Sequence, residues 1–163
     1  MSMNNTENTN ESHNEVLLQL RPVDSQNWKD CVDMSVTSEQ EEFISENWYS
    51  LLQWKFSETP ENMHPYCIYA DGVVVGFIMY NLNLENHRWN IERFMIDARH
   101  QSKGYGKQAL LRLLDTVREH LGNIAFYTAV EPDNETAIKL YESIGFEKTG
   151  EVICHEEVFR IIL

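Results

Sequence analysis

The sequence predicts a single domain of mixed α/β class, with one mixed sheet and helices on both of its faces. Three observations support this prediction. Two β-type runs flank Asp71-Gly72, which is a strong hairpin signal. Residues 107–121 repeat apolar side chains at helical spacing, so they predict an amphipathic helix. Residues 124–130 form an almost continuous apolar run, as expected for a strand that is covered on both faces.

The complete predicted order is β–α–α–β–β–β–α–β–α–β–β, and turn and capping residues mark its boundaries. The further elements are a first strand at 17–22, two helices within 24–57 that break between Ser35 and Glu42, hairpin strands at 66–70 and 73–81, a strand at 89–97, a short helix capped by Asn134, and two final strands within 147–163. Residues 1–15 are rich in Asn, Glu, Ser and Thr and predict a disordered leader. The domain is therefore expected to span residues 16–163.

The net charge and the distribution of apolar residues argue against several classes of protein. The chain has 163 residues and a formal net charge of −13, whereas nucleic-acid binders usually have an excess of basic residues. An acidic surface attracts cations, but it is also an ordinary means of staying soluble. No apolar run is long enough to cross a bilayer, and no secretory signal is recognisable. We therefore expect a cytoplasmic protein that binds neither nucleic acid nor membrane.

The three cysteines, Cys31, Cys67 and Cys154, are widely spaced and form no CxxC pair or metal-ligand pattern. We interpret them as reduced thiols that pack as small apolar residues, and we expect no metal site.

The most informative segment is Gln101-Ser102-Lys103-Gly104-Tyr105-Gly106-Lys107, between the strand at 89–97 and the helix at 107–121. Glycines at such a turn allow close approach of a ligand to the backbone. The helix start adds unpaired N–H groups and a positive dipole end, which favour phosphate. The segment predicts a site for a pyrophosphate-bearing ligand.

Two known phosphate motifs fit this loop poorly. A P-loop requires Ser or Thr after its lysine, but Gln108 follows Lys107. Residues Gly104 to Ala109 match the dinucleotide-binding fingerprint GxGxxA. Glu131 could serve as the acidic residue that this fingerprint requires after the next strand. Too few residues follow Gly106, however, for the expected series of βαβ units. The remaining alternative is a glycine-rich turn without a ligand.

The loop does not stand alone, because a second motif follows it in the chain. The loop and its preceding Glu92-Arg93-Phe94-Met95-Ile96-Asp97, followed by Asn134 and by Leu140-Tyr141-Glu142-Ser143-Ile144-Gly145-Phe146, resemble the GNAT (GCN5-related) N-acetyltransferase family. Both halves occur in order and at family spacing, and the resemblance covers almost everything outside the leader. It implies the GNAT acyl-CoA acyltransferase fold and transfer of an acetyl group from acetyl-CoA to an amine. One departure is Ser102, where the family usually has glycine.

The resemblance assigns roles to individual residues. It implies that backbone amides of the loop bind the pyrophosphate of acetyl-CoA and that amides of the preceding strand meet the pantetheine and thioester. It also implies that Tyr141 is the general acid for the departing thiolate, that Asn134 contacts coenzyme A, and that the amine attacks directly in a ternary complex. The implied cofactor-binding set is Phe94, Met95, Ile96, Gln101, Ser102, Lys103, Gly104, Tyr105, Gly106, Lys107, Asn134 and Tyr141.

An amine nucleophile must lose a proton before it attacks. Glu92 lies on the strand before the loop, and simple strand alternation places it on the same face as Phe94 and Ile96. We interpret Glu92 as the base or as a substrate anchor. A plain salt bridge with Arg93 or Arg88 is the alternative.

The acceptor is suggested by residues 39–51, which resemble the second-helix region of bacterial spermine/spermidine acetyltransferases. Polyamines are long polycations, which carboxylates can pair with and aromatic rings can contact. The predicted substrate-binding residues are Glu41, Glu42, Glu46, Trp48, Glu85 and Glu92. Two alternatives stay open: acetylation of a protein lysine or N-terminus, and a non-catalytic module that senses acyl-CoA or polyamine. Homodimers are common in the family.

Overall fold

The computed structural model describes residues 16–163, and the leader predicted for residues 1–15 lies outside them. The order of helices and strands is the predicted one. The strands are β1 Leu18–Pro22, β2 Met63–Ala70, β3 Val73–Asn83, β4 Arg88–Ile96, β5 Ala125–Val130, β6 Glu147–Ile153 and β7 Glu156–Ile162. The α-helices are α1 Trp28–Val32, α2 Asn47–Lys55, α3 Tyr105–Leu121 and α4 Glu135–Glu142. Short 3-10 helices lie at Ser38–Phe43, Pro60–Asn62 and Ala98–His100.

The seven strands form one sheet in the order β1-β2-β3-β4-β5-β7-β6. All neighbouring strands are antiparallel except β4 and β5, which are parallel. The predicted turn at Asp71-Gly72 joins β2 to β3, and both of its residues have a positive φ. The parallel pair sits in the middle of the sheet, where a helix, α3, must connect its strands.

Helices cover both faces of the sheet, as predicted. Strand β3 shows the alternation, because Ile78 and Tyr80 pack into a core with α3 and α4, whereas Phe77 and Met79 pack into a second core with α1 and α2. The apolar stripe of α3 is buried in the first core through Leu110, Leu113, Leu114 and Val117. No helix within residues 16–163 is long and apolar enough to cross a membrane.

The structure corrects three details of the sequence prediction. The second helix begins at Asn47, so Phe43 ends a separate 3-10 helix and Ile44 lies in the connection. Helix α3 begins at Tyr105 rather than Lys107, since the left-handed turn that starts it is complete at Gly104.

The third correction concerns the cysteines. Cys31 and Cys67 are fully buried as expected. Cys154 is exposed, because it lies in the tight turn between β6 and β7, where its φ is 49°.

Candidate active site

Strands β4 and β5 separate part-way along their length. The parallel ladder joins only Trp89 to Phe126, Asn90 to Tyr127 and Ile91 to Thr128. Beyond Ile91, strand β4 continues to Ile96 with partners on β3 alone. Within residues 16–163, the β5-facing edge of β4 therefore presents backbone groups without a ladder partner, and these are available to a ligand.

A cavity of about 730 Å³ occupies this gap. Its size is typical of a site for a small molecule or cofactor. Both splayed strands line it, together with the loop before α3, the first turn of α3, one side of α4 and the 3-10 helix Ser38–Phe43. A single space therefore connects the predicted phosphate loop with Tyr141 and with several carboxylates.

The loop that leads into α3 is built by local backbone geometry. Gly104 has a φ of 79°, in the left-handed region that glycine adopts without strain. Ser102 also lies in that region, with a φ of 61°. This conformation explains why a glycine would be favoured at position 102. Helix α3 starts at Tyr105, directly after these two left-handed residues. The N–H groups of its first turn lie at the cavity.

The start of the loop is fixed by the buried carboxylate of Asp97. Its Oδ1 accepts from the backbone N–H of Arg99 at 2.9 Å, and both carboxylate oxygens accept from the Arg99 guanidinium. The hydrogen bonds from Arg99 lower the pKa of Asp97 below its ordinary value, despite burial. The carboxylate therefore stays charged and orders the turn between β4 and the loop.

Tyr141 lies in the last turn of α4, with its side chain buried and lining the cavity. Burial raises the pKa of its hydroxyl to about 12, and interaction with Thr128 on β5 partly offsets this rise. The hydroxyl is therefore protonated at neutral pH. Helix α4 is positioned by Asn134, whose Oδ1 accepts from the N–H of Ala137 at 3.1 Å, as predicted for its cap.

Carboxylates on three strands or strand ends line the same cavity, namely Glu92 of β4, Glu131 after β5 and Glu156 of β7. Burial raises the pKa of Glu156, and the nearby charges of Glu131 and Glu92 raise it further, while Arg93 partly opposes them. This end of the cavity is suited to a cation, because a positive charge would relieve the mutual repulsion of the carboxylates.

Glu92 occupies a β-bulge. Met79 pairs with Arg93, and the next residue of β3, Tyr80, pairs with Ile91, so Glu92 is the extra residue. Ile91 and Phe94 consequently pack into the same core although they are three positions apart. The strand alternation that placed Glu92 on the face of Phe94 and Ile96 is therefore wrong, because the bulge interrupts it.

The Glu92 carboxylate accepts hydrogen bonds from three side chains. Its Oε1 accepts from Arg93 at 2.9 Å, and its Oε2 accepts from Asn81 and Asn90 at 3.4 and 3.3 Å. The salt bridge with Arg93 that the sequence offered as an alternative is thus present.

The chain is similar to known proteins in both sequence and fold. The sequence model described as "Acetyltransferase (GNAT) family" matches residues 28–146, which is more than half of the chain. The chain belongs to the GNAT acetyltransferase family. The fold and the enzyme class expected from the two motifs are therefore confirmed.

Individual relatives of this GNAT enzyme act on different amines. This chain is 31% identical over 144 residues to the spermine/spermidine N(1)-acetyltransferase of Bacillus subtilis. The match covers 83% of this chain and 91% of the relative. A shorter match, 29% identical over 85 residues, covers half of this chain and 49% of the L-methionine sulfoximine/L-methionine sulfone acetyltransferase of Salmonella typhimurium.

Solved structures agree on the fold. The spermidine N-acetyltransferase of Vibrio cholerae, crystallised in complex with CoA and spermine, aligns with a TM-score of 0.70 at 18% identity. The alignment covers 89% of this GNAT chain and 95% of that one. At this identity the likeness concerns the fold.

Most of the predicted site residues of the GNAT domain line the cavity. Those that do are Glu41, Glu42, Glu92, Phe94, Met95, Ile96, Gln101, Ser102, Gly104, Tyr105, Gly106, Asn134 and Tyr141. Those outside its lining are Glu46, Trp48, Glu85, Lys103 and Lys107. Trp48 is exposed on α2, where its indole N–H donates to Glu46. The roles given to all of these residues, inside and outside the lining, stay predictions.

Sequence reasoning missed several residues that line the cavity of this GNAT enzyme. They include His100, Thr128 and Glu156. Glu131 also lines the cavity, and the sequence indicates it only as the acidic residue of a dinucleotide fingerprint. The sequence holds no signal for Glu156, since only the pairing of β7 with β5 brings it near Glu131.

Proposed function

We propose that this GNAT enzyme transfers the acetyl group of acetyl-CoA to a primary amine of a polyamine such as spermine or spermidine. The observation that supports this most directly is the continuity of the cavity. One space is lined by the phosphate-type loop, by the buried Tyr141 and by carboxylates suited to a polycation.

The loop suits the pyrophosphate of acetyl-CoA for two physical reasons. The first turn of α3 provides unpaired N–H groups and the positive end of the helix dipole. Gly104 and Gly106 have no side chains, so the backbone there can approach a phosphate closely. The pantetheine and thioester then lie along the free edge of β4, beside Phe94, Met95 and Ile96.

The chemistry follows from this placement. A backbone N–H on the edge of β4 donates to the thioester oxygen and stabilises the negative charge that develops there. The free amine attacks the thioester carbon directly in a ternary complex, and the bond from carbon to sulfur breaks. Tyr141 gives its hydroxyl proton to the leaving sulfur, as its protonated state at neutral pH allows.

The acceptor assignment relies on carboxylates that several different elements contribute to the cavity. Glu41 and Glu42, on the 3-10 helix Ser38–Phe43, line one side of the cavity. Glu92, Glu131 and Glu156 line another part of it. Acidic groups at separate places along one groove suit a molecule with several ammonium groups better than one with a single ammonium. The relationship to the Bacillus enzyme points to the same class of acceptor.

Release of free CoA thiol with a panel of acceptors tests the proposal. The panel contains spermine, spermidine, an amino acid, a lysine peptide and no acceptor. We expect the highest kcat/KM with the polyamines. Equal or higher kcat/KM with the amino acid or the peptide would contradict the polyamine assignment, and acetyl-CoA binding without turnover on any amine would indicate a sensing module.

A charge variant sharpens the test. Glu41→Gln/Glu42→Gln should raise KM for spermine and weaken its dependence on salt, because two cation partners are lost. The matched control is Glu39→Gln/Glu58→Gln, which removes the same charge from two exposed residues outside the cavity lining. If both pairs of substitutions change KM equally, only the overall charge matters and the groove assignment fails.

A further inference from the structure

The reaction needs a group that accepts a proton from the acceptor, because a primary ammonium has no lone pair with which to attack. Three carboxylates line the cavity at the splayed strands, those of Glu92, Glu131 and Glu156. Their environments differ, and this difference separates the residue that can take a proton from those that are otherwise engaged.

Glu92 is poorly placed to act alone. Arg93, Asn81 and Asn90 already donate to its two oxygens. Three of the roughly four acceptor sites of this carboxylate are therefore occupied, which leaves about one for a proton. Glu92 therefore serves better as a fixed negative charge in the wall of the cavity.

Glu156 is half-buried at the first position of β7, beside the turn from β6. Within residues 16–163 its carboxylate has no hydrogen-bond donor and no ion-pair partner. The next residue, Glu157, differs in both respects, because it lies outside the cavity lining and pairs with Lys148 at 2.6 Å. Glu157 also pairs with Val130 in the β5–β7 ladder, which brings Glu156 close to Glu131 at the end of β5.

We propose that Glu156 is the catalytic base that accepts the proton of the acceptor ammonium, an inference that rests on the acetyl transfer proposed above. The geometry supports it in two ways. Among the residues that the structure describes, its carboxylate has no hydrogen-bond or ion-pair partner, and it lines the same cavity as Tyr141.

The electrostatic surroundings of Glu156 suit this role. Burial raises the pKa of Glu156, and the charges of Glu131 and Glu92 add to the rise, with Arg93 acting in the opposite direction. A carboxylate with a raised pKa holds a proton more strongly than an ordinary one and is a better general base near neutral pH. The same neighbours attract the ammonium before its proton is transferred.

The protons and electrons balance over one turnover. The ammonium gives a proton to Glu156, and the freed lone pair forms the bond from nitrogen to the acetyl carbon. The carbon–sulfur bond breaks with its electron pair on sulfur, which takes the proton of Tyr141. The tyrosinate regains a proton from the newly acylated nitrogen, and Glu156 releases its proton to water.

The test compares Glu156→Gln with the wild-type enzyme and with Glu157→Gln, which removes the same charge one residue away. The rate is measured as kcat/KM for the amine between pH 5 and 10 at saturating acetyl-CoA. We expect Glu156→Gln to lower kcat/KM by a factor of roughly 10² to 10⁴, which is the usual contribution of a general base. The acidic limb of the wild-type profile should disappear in this variant and should persist in Glu157→Gln. Glu131→Gln should move the limb to lower pH, because it removes a negative neighbour of Glu156.

A series of acceptor amines with decreasing pKa separates a base from a mere anchor for the ammonium. The deficit of Glu156→Gln should shrink as the amine pKa falls, since such amines are already deprotonated in solution. A deficit of constant size across the series would overturn the proposal, and so would an unchanged acidic limb. Acetyl-CoA affinity by calorimetry should match the wild type, which shows that the variant is folded.

The outcome is separable from that of the polyamine assignment. If the wild-type enzyme prefers another amine, the polyamine assignment fails, while the Glu156 experiment proceeds with the preferred amine. If no amine is acetylated by the wild type, both proposals fall.

Discussion

The side-chain amide of Gln101 donates a hydrogen bond to Oε1 of Gln40 at 2.7 Å. Gln101 begins the loop before α3, and Gln40 lies in the 3-10 helix that contains Glu41 and Glu42. The same amide of Gln101 donates to the backbone oxygen of Ile96 at 2.9 Å. One side chain therefore connects the proposed acetyl-CoA loop, the free edge of β4 and the acceptor side of the cavity.

Replacing Gln40 by alanine should weaken acceptor binding. Oε1 of Gln40 also accepts from the backbone N–H of Thr37 at 3.4 Å, so the substitution removes two hydrogen bonds. The loss of the shorter one, from Gln101, costs about 1 kcal/mol, which corresponds to a rise of roughly fivefold in KM for spermine. The same substitution at Gln53, which is exposed on α2, should leave KM unchanged. The measurement is a double-mutant cycle that combines Gln40→Ala with Gln101→Ala and compares KM for spermine. If the two substitutions have additive effects on the free energy derived from KM, the hydrogen bond between Gln40 and Gln101 does not contribute to acceptor binding.

Tyr141→Phe removes the proposed general acid while keeping the aromatic ring. We expect kcat to fall by a factor of roughly 10² to 10⁴ with little change in the Kd of acetyl-CoA. Burial raises the pKa of Tyr141 to about 12, so its proton is present throughout the accessible range and should cause no fall in wild-type rate below about pH 11. Tyr69→Phe, next to Arg21 and outside the cavity lining, is the control. Full activity in Tyr141→Phe would refute the acid assignment.

Replacing each of the two loop glycines by alanine should affect stability differently. Gly104 has a φ of 79°, so Gly104→Ala is expected to cost about 1 kcal/mol of folding free energy. A Cβ on Gly106 would meet Leu140 at 3.5 Å and Phe94 at 3.6 Å, which are ordinary contacts. Gly106→Ala should therefore leave Tm unchanged.

Acetyl-CoA binding is a second property that should distinguish Gly106→Ala from Gly104→Ala. The added methyl group of Gly106→Ala narrows the cavity where the backbone is proposed to approach acetyl-CoA, so KM for acetyl-CoA should rise. Thermal melts and acetyl-CoA titrations of both variants check this. Normal acetyl-CoA affinity in Gly106→Ala would contradict close approach at this glycine.

Local features of the fold could be predicted from sequence because local chemistry determines them. The Asp71-Gly72 turn, the apolar stripe of α3 and the Asn134 cap each depend on residues that are neighbours in the chain. The cavity loop belongs to the same category, since Gly104 and the start of α3 lie side by side.

Other features depend on pairing between distant segments, which periodicity does not reveal. The bulge at Glu92 exists only because β4 has one more residue than β3 over their shared ladder. Glu156 reaches the cavity through the β5–β7 register, and Cys154 is exposed because the β6–β7 turn holds it there. Sequence reasoning could identify the loop and Tyr141, but it could not identify the third carboxylate near them.

Asp97 offers a test in which stability changes with pH. Its side chain is 1% exposed, and hydrogen bonds from Arg99 hold its pKa below the ordinary value. Because the folded-state pKa is depressed, the charged carboxylate stabilises the fold above the unfolded pKa of about 4. This contribution is lost as pH falls through the lower folded-state value. Asp97→Asn should therefore reduce the free energy of unfolding by about 1 kcal/mol at pH 7, a modest figure because Arg99 is largely exposed.

The difference in Tm between the wild type and Asp97→Asn should be complete at pH 6 to 7 and should shrink as pH is lowered below about 4. Calorimetric melts at a series of pH values measure it. Asp115→Asn is the matched control, because Asp115 pairs with Arg118 on the exposed surface of α3 and should change stability by less than about 0.5 kcal/mol. If the Tm difference for Asp97→Asn stays constant down to pH 2, the charge of Asp97 does not stabilise the fold. Another interaction would then have to order the loop of the proposed acetyl-CoA site.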